Sequence, residues 1–291
     1  MDYFISLLSG TGISFMTAIN GLLGQQLGSF LSAIFIHLTG LITIIIITII
    51  TKTNFISKEK IPLFFYSGGI VGIFTLVFTV IAFNYLSITA LLALGLLGQT
   101  LASLVCNKLK LFSHENDTGI MTISGLVIIF LGIFLMLRRE NVKVLAVILA
   151  LLSGVTIVIN RIINATLSKH SSNLTGTLWN YITGFVFSIP MVFILGRKDL
   201  SLLPNLTNIP LWMFTGGIIG VFVVFISIYA TPRINGVILS VLIFIGQVFT
   251  SIILDYFLIG EIQMKLIYGS LIVLGGLILI SKNKKIIDDK L

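Results

Sequence analysis

Apolar runs of roughly twenty residues dominate this sequence and limit what it can fold into. An α-helix needs ~20 apolar residues to cross ~30 Å of hydrocarbon at ~1.5 Å per residue. Backbone amides find no water inside a bilayer, so a spanning segment must be a helix or a strand of a closed barrel. Barrel strands alternate in polarity and are about half as long. The runs therefore predict an all-α integral membrane protein.

Short polar breaks between the runs set the boundaries of ten predicted transmembrane helices. The breaks Gln25–Ser29 and Asn84–Ser87 are typical, and neither leaves room for an extramembrane domain. The predicted spans are 3–24, 30–51, 62–84, 88–107, 119–137, 144–167, 174–196, 210–231, 236–257 and 265–281.

Composition and charge fit a chain whose solvent is lipid. Only 10% of the residues are charged, whereas soluble domains have about 25%. The net charge of +8 comes from short basic clusters between apolar runs, without a basic stripe or interleaved aromatics, so no nucleic-acid partner is expected. The single cysteine, Cys106, excludes an internal disulfide and lies in an apolar run, where a buried, inert thiol is expected.

Loop charges predict the orientation of the chain. Ten spans place both termini on the side of the loops that follow even-numbered spans, and positive charge marks the cytoplasmic side. The opposite side carries Arg138, Arg139, Lys143, Arg197, Lys198 and Lys265. The side of the termini carries Lys52, Lys58, Lys60, Lys108, Lys110, Lys169, Arg233, Lys282, Lys284, Lys285 and Lys290. Both termini are therefore expected in the cytoplasm.

The second half of the chain repeats the first. Glycine, proline and polar residues recur in the same order at an offset of 144 or 148 residues, and the offset changes only in loops. Matches at such residues are more telling than matches of Ile or Leu, which any two apolar helices share. The matched positions are Ser9–Gly10 with Ser153–Gly154, Asn20 with Asn164, Thr39–Gly40 with Thr183–Gly184, Pro62 with Pro210, Gly68–Gly72 with Gly216–Gly220, Gly98–Gln99 with Gly246–Gln247, Ser103 with Ser251, Gly125 with Gly269, and Gly132 with Gly276.

This duplication predicts two five-helix repeats, residues 1–140 and 141–291. Because five is odd, the second repeat enters the membrane from the opposite side. Inverted repeats are found in many secondary transporters, where the central cavity opens alternately to either side. A secondary transporter of a small polar or amphipathic metabolite or drug is therefore predicted, acting as a monomer or homodimer in the bilayer. A channel or a lipid flippase is the alternative, since duplication alone does not prove transport.

Several motifs also resemble a known family. They are Thr17–Gly21 with Leu27–Ser29, Gly216–Gly220, and Gly246–Gln247 followed by Ser251–Asp255. They resemble the YdcZ-type membrane proteins of the drug/metabolite transporter superfamily, over nearly the whole chain. The resemblance implies an exporter in the bacterial plasma membrane, with a cavity lined by the first four helices of each repeat. It does not supply a substrate.

Two glutamines are the leading candidates for a substrate site. Gln99 and Gln247 lie near the centres of predicted spans four and nine, and transporter sites tend to lie at the bilayer midplane. Each amide offers two donors and an acceptor for a polar solute. Hydrogen bonding between helices is the alternative role, and the preceding Gly98 and Gly246 suit it because they permit close helix approach.

Other polar residues at membrane depth extend this candidate site. Thr39 and Thr183 lie near mid-span, where a hydroxyl either bonds to its own helix or faces a solute, and packing is favoured. His37 and Tyr181 are equivalent in the two repeats. With Trp179 and Asn180 they are expected to form an aromatic and polar wall, although a single histidine is more often structural.

Arg161 is the basic residue that lies deepest within a predicted span. Its side chain either snorkels to the cytoplasmic interface or faces the cavity, where it would attract an anionic group or pair with Asp255. Asp255 itself is expected to be solvated at the outer end of span nine. Asn20 and Asn164 fall near predicted helix ends, as caps or parts of a gate.

Two glycine clusters put small residues on one helix face, which permits close backbone contact. They serve either static packing or a sliding surface, and consist of Gly68, Gly69, Gly72, Gly216, Gly217 and Gly220. Catalytic and nucleotide-binding motifs such as HExxH and the Walker loop do not occur in the sequence. No catalytic residue, metal or cofactor is therefore expected, and no predicted span has a central carboxylate for simple proton antiport.

Overall fold

The computed structural model describes residues 2–53, 55–56, 60–108, 120–138, 142–234 and 236–288, without the side chains of 107–108, 236–237 and 282–288. These residues form ten α-helices and three short 3₁₀ segments, and no strand occurs among them. The helices are α1 (Asp2–Leu27), α2 (Ser29–Ile50), α3 (Gly68–Phe83), α4 (Ile88–Lys108), α5 (Ile120–Leu137), α6 (Val144–Lys169), α7 (Asn173–Ile194), α8 (Thr215–Ala230), α9 (Gly236–Ile259) and α10 (Met264–Asp288).

Nine of the helical segments in this described part are long and apolar enough to cross a membrane. The remaining helix, α3, is apolar but has only 16 residues. Its equivalent α8 follows directly on a 3₁₀ turn, Leu211–Phe214, and the two together make a 20-residue span. Before α3, Ser67 separates the corresponding turn, Leu63–Tyr66, from the helix. The chain is thus an all-helical, multi-span integral membrane protein.

Two buried or half-buried carboxylates bind the N-termini of helices from elsewhere in the chain. Gly28 takes a φ of 77° before α2, and the Asp199 carboxylate accepts from the Phe30 amide at 2.8 Å. At α4, Asp255 accepts from the amides of Ile88 at 2.7 Å and Thr89 at 2.9 Å. A carboxylate stabilises a helix N-terminus because the free amides there carry partial positive charge.

The expectation of a solvated Asp255 is therefore wrong. Its side chain is only 3% exposed, and it also accepts from the Thr89 hydroxyl. The residue lies toward the end of α9, where sequence alone suggests contact with water. In the fold, the first turn of α4 packs over it and supplies the hydrogen bonds that water would otherwise make.

Helices α5 and α10 form the most extensive helix pair of the described fold. They cross at two matched pairs of glycines. A Cβ on Gly125 would collide with the carbonyl of Gly276, and one on Gly132 with the carbonyl of Gly269. Such close backbone approach is typical of small-residue helix interfaces in membranes.

The other eight helices include two equivalent groups, one around α1 and one around α6. Helix α1 packs against α8 and α9, and α6 packs in the same way against α3 and α4. The glycines at these crossings correspond as well: a Cβ on Gly10 would collide with the Ile243 carbonyl, and one on Gly154 with the Gly95 carbonyl. Each of the two helices α1 and α6 is thus held by helices of the opposite half of the sequence.

Part of the orientation prediction lies outside the described residues. Lys58, Lys110, Arg139 and Lys290 are among the loop charges compared between the two sides of the membrane, and they fall in the gaps given above. The predicted boundary between the repeats, residues 140 and 141, falls there too. Both predictions stay predictions.

Candidate functional site

A cavity of about 180 Å³ lies between the helices of the first half of the chain and those of the second half. Its described lining comes from α1, α2, α3, α4, α6, α7, α8 and α9, and includes nothing from α5 or α10. Several polar side chains that the sequence singled out face this one space. They are Asn20, His37, Gln99, Arg161, Asn164, Asn180, Tyr181 and Gln247, together with Gly72.

Three asparagines form a hydrogen-bonded cluster on the wall made by α6 and α7. The Asn164 amide donates to Asn160 Oδ1 at 2.8 Å and to Asn180 Oδ1 at 2.9 Å. Asn160 in turn donates to Asn180 Oδ1 at 2.8 Å and to the Gly68 carbonyl at 2.7 Å. Asn164 Oδ1 has no partner among the described residues, but the shared bonds hold the three amides together as one polar wall next to apolar helices.

Sequence analysis missed Asn160. A signal was present, since Asn160 and Asn164 are four residues apart and therefore lie on one helix face, with Arg161 between them in an otherwise apolar run. Three polar residues within about one turn of a membrane helix indicate a polar wall. Comparison of the two repeats did not reveal this signal, because the position equivalent to Asn160 is Met16.

Arg161 faces the cavity rather than the membrane interface. Its Nη2 donates to Gln99 Oε1 at 3.4 Å, and its Nε is buried without a hydrogen-bond partner in the described part of the chain. The predicted alternative, an ion pair with Asp255, is not formed, since that carboxylate binds the start of α4. The guanidinium is thus held at the cavity wall by one long bond to a neutral amide.

The two predicted glutamines line the same cavity, Gln99 at 7% and Gln247 at 3% exposure. They differ in their partners. Gln99 accepts from Arg161, whereas Oε1 of Gln247 is buried and has no partner among the described residues. An unsatisfied buried amide oxygen is costly, so a donor group in the cavity would be stabilised there.

His37 and Tyr181 meet across the cavity wall, with ring centroids 5.9 Å apart. His37 Nδ1 lies 2.9 Å from the Ala33 carbonyl, and because a carbonyl only accepts, this nitrogen carries the proton. The Tyr181 hydroxyl donates to the Gly217 carbonyl at 3.4 Å. Both rings therefore combine a structural hydrogen bond with a face on the cavity.

Three predicted site residues do not line the cavity, namely Trp179 of the predicted wall and the two threonines Thr39 and Thr183. Trp179 donates from Nε1 to the Phe55 carbonyl at 2.7 Å. Thr183 donates to the Trp179 carbonyl at 2.7 Å and accepts from the Gly69 amide at 3.1 Å, and Thr39 bonds to the Ile36 carbonyl within its own helix. The packing role favoured for the two threonines agrees with these contacts.

Asn20 and Asn164 do not cap helix ends. Helices α1 and α6 continue for more than a turn beyond them, so both asparagines lie inside their helices and face the cavity. Each also packs against a glycine of the other half: a Cβ on Gly216 would collide with Asn20, and one on Gly68 with Asn164. The error came from helix ends that the hydropathy pattern places too early.

The remaining predicted glycines lie at close helix contacts. A Cβ on Gly98 would collide with the Leu151 carbonyl, and one on Gly246 with the Leu7 carbonyl. Gly69 packs on the backbone of α7, Gly217 on that of α2, and Gly220 on the Tyr181 hydroxyl. Close packing accounts for these residues, and a sliding role stays a prediction.

Among the described residues, no group of three or more His, Cys, Asp or Glu side chains is arranged to hold a metal ion. The single cysteine, Cys106, is a free, partly buried thiol near the end of α4. The polar groups of the described cavity lining are amides, one guanidinium, two ring side chains and the hydroxyls of Thr75, Thr79, Ser153 and Ser227.

A multi-span helical bundle around a solute-sized polar cavity is the architecture of a membrane transport protein. The family model of the YdcZ-type inner-membrane exporters, of the drug/metabolite transporter group, matches residues 2–135 and again residues 145–279. The chain belongs to this YdcZ family of exporters, and the resemblance seen in the sequence is confirmed.

Solved structures share the fold. One, titled "Crystal structure of protein", has a TM-score of 0.62 and 12% sequence identity, covering 94% of this chain and 95% of that one. At this identity the likeness concerns the fold alone. No curated protein sequence gives a significant match.

Proposed function

We propose that this protein is a secondary transporter that exports a small polar or amphipathic solute through the cavity by alternating access. In this proposal α3 completes a set of ten spans, the two five-helix repeats lie in opposite orientations, and both termini are cytoplasmic. The direction of export follows from the family, whose members are described as inner-membrane exporters.

The matched packing of the two halves supports the inverted arrangement. Helix α1 contacts α8 and α9 as α6 contacts α3 and α4, and the glycines at the crossings correspond residue by residue. A pseudo-two-fold axis in the membrane plane relates such halves in known transporters. If the helices of one half tilt to open the cavity on one side of the membrane, the equivalent tilt of the other half opens it on the opposite side.

The observation that carries the proposal is the cavity itself. It lies between the halves, is lined by the first four helices of each, and contains Gln99, Gln247 and Arg161. Polar and ionisable groups at membrane depth are costly and mark solute pathways. A lipid substrate or an ion would use the same groups, so the experiments below separate these functions.

Accessibility of the cavity from each side tests alternating access. In a Cys106→Ser background, Thr79→Cys and Ser227→Cys place thiols on the cavity lining at equivalent positions of the two repeats. A membrane-impermeant maleimide should label each from either side of sealed vesicles. Gly275→Cys, on the exposed face of α10, should be labelled from neither side and serves as the control.

Labelling from one side only, under all conditions, would contradict alternating access. Ion conductance in planar bilayers would indicate a channel, and scrambling of labelled lipids in liposomes a flippase. Labels on the two chain ends provide a further check. If these ends were found on opposite faces of the membrane, the number of crossings would be odd and the inverted arrangement would be wrong.

The two glutamines are predicted to be essential for transport. Gln99→Ala and Gln247→Ala should abolish solute counterflow in proteoliposomes and leave the protein folded, because each removes an amide from the cavity wall. The solute for this assay is first identified by a thermal-shift screen of the purified protein against metabolites and toxic compounds, since a bound ligand raises apparent stability. Gln25→Ala, exposed near the end of α1, should transport normally. Normal transport by both cavity variants would place the site elsewhere.

A further inference from the structure

The two repeats contribute different chemistry to the cavity at three equivalent positions. The wall from α6 and α7 carries Asn160, Arg161 and Asn180. At the equivalent positions of α1 and α2 the sequence has Met16, Thr17 and Ile36. Met16 and Ile36 line the cavity, as do Asn20 and His37 of the same two helices, and Thr17 is buried. The wall from α6 and α7 is therefore the one that carries a charge, and α1 and α2 add apolar surface beside two polar side chains.

The wall from α6 and α7 carries a positive charge that has no counterion among the described lining residues. Arg161 is the one charged residue among the described lining residues. Of its five N–H donors, one makes a 3.4 Å bond to Gln99, and Nε is buried without a partner. A buried charge is costly unless it is paired, and a guanidinium matches the geometry of a carboxylate through two parallel hydrogen bonds. An anionic group bound there would supply the missing acceptors.

The apolar part of the lining limits the rest of the ligand. Ile13, Met16 and Ile36 of α1 and α2 and Val223 and Val224 of α8 line the cavity, and these side chains offer no hydrogen bond to a polar solute. Size is limited as well. A cavity of about 150 Å³ accommodates benzene, so the 180 Å³ here suits a molecule of about one ring or one branched aliphatic chain.

Charge also argues against cationic ligands. No carboxylate is found among the described lining residues, and Asp255 is bound to the start of α4. A ligand with an ammonium group would therefore bring a second positive charge near Arg161 without a partner for it. A ligand with a single negative charge leaves the cavity neutral.

We propose that the substrate is a small amphipathic monoanion, with its carboxylate at Arg161 and Gln99 and its apolar body against Met16 and Ile36. This inference rests on the proposed transport function for its biological role, but it concerns binding and is tested by binding. It narrows the solute from any polar or amphipathic molecule to one charge class, one size and one orientation.

The test compares carboxylates with their own uncharged amides on the purified full-length protein. Isovalerate, hexanoate, benzoate and phenylacetate are each measured beside the matching amide by thermal shift and by calorimetry. The best carboxylate should bind about tenfold or more tightly than its amide, because a charged hydrogen-bonded pair is stronger than a neutral one. Acetate should bind more weakly than the larger carboxylates, since it leaves the apolar part of the lining without a contact.

Substitution of Arg161 tests whether its guanidinium binds the carboxylate of the ligand. Arg161→Gln should reduce carboxylate binding to about the level of the amide and weaken amide binding much less, because the amide loses only a hydrogen bond with a neutral acceptor. Arg161→Lys, which keeps the charge and loses the paired geometry, should retain part of the preference and covers the case in which Arg161→Gln does not fold. Arg197→Gln removes an exposed arginine next to α7 and should change nothing.

Three results would overturn the proposal: no carboxylate of the panel binds, the amides bind as tightly as the acids, or Arg161→Gln keeps the preference for the acid. These outcomes are separate from the test of transport. If the cavity thiols are labelled from both sides while the amides bind as well as the acids, the protein is a transporter of a different solute. If acids bind but counterflow and two-sided labelling fail, the anion site stands and the transport function is wrong.

Discussion

The two repeats agree where their helices cross and differ where they face the cavity. Gly10 and Gly154 occupy equivalent crossings, and a Cβ on either would collide with a carbonyl of the opposing helix. In contrast, Asn160, Arg161 and Asn180 on one wall have Met16, Thr17 and Ile36 as their equivalents. Close backbone contact tolerates little substitution, whereas a cavity wall accepts any side chain that fits the solute. The scaffold is thus symmetric, whereas Arg161 and the asparagine cluster occur in the second repeat alone.

The largest effect is expected at the shared crossings. Gly154→Val and Gly10→Val should each prevent folding, because a branched side chain would overlap the backbone of the facing helix and overpacking costs about 1–3 kcal/mol or more. Yield of monodisperse protein and melting temperature in detergent measure this. Gly275→Val is the control, since a Cβ there meets nothing within 4 Å. If one of the two crossings tolerated valine, the equivalence of the two interfaces would be lost.

A smaller effect is expected where the repeats differ. Asn160→Met converts a polar wall position to its first-repeat equivalent and leaves Asn164 and the Gly68 carbonyl short of a partner. Leaving buried polar groups unsatisfied costs about 1–3 kcal/mol, and Asn180→Ile should behave similarly. Together the two changes should destabilise less than the sum of the single changes, because the asparagines share one network.

Unfolding of the single and double variants measures this coupling as a double-mutant cycle. Strict additivity would mean that the asparagines contribute independently. The cluster would then be a set of unrelated packing contacts, and the polar wall would not act as a unit.

The smallest effect is expected at a pair of aromatic contacts outside the cavity. Tyr66 and Trp179 pack edge to face at 4.9 Å, and their equivalents Phe214 and Phe35 do so at 5.8 Å. Trp179 additionally donates to the Phe55 carbonyl. Trp179→Phe keeps the ring and removes this bond, so the free energy of unfolding should fall by about 0.5 kcal/mol.

Thermal unfolding of Trp179→Phe beside Trp212→Phe measures the contribution of this hydrogen bond. Trp212 is the control because it is half exposed. Equal stability of the two variants would mean that the bond to Phe55 adds nothing to the aromatic contact. Transport by Trp179→Phe should stay normal, because the side chain does not line the cavity.

Much of the candidate site was predictable because duplication marks positions that hydropathy alone does not. Gln99 and Gln247 were found as equivalent polar residues at mid-span, and both line the cavity. Asn160 was missed because its equivalent is Met16, so symmetry gave no reason to single it out. Trp179 was misplaced because a helical position near the candidate wall does not specify which neighbour the side chain meets.

The sequence by itself determined that the chain is helical, lies in a membrane and is built from two similar halves, because hydropathy, run length and repetition are properties of local segments. Only the tertiary structure decided that Asp255 is buried against a helix start 167 positions away and that Arg161 meets Gln99 across 62 positions. In lipid, apolar side chains gain little from facing one another rather than the bilayer. Which face of a helix turns inward is therefore set by close glycine contacts and polar pairing between distant segments.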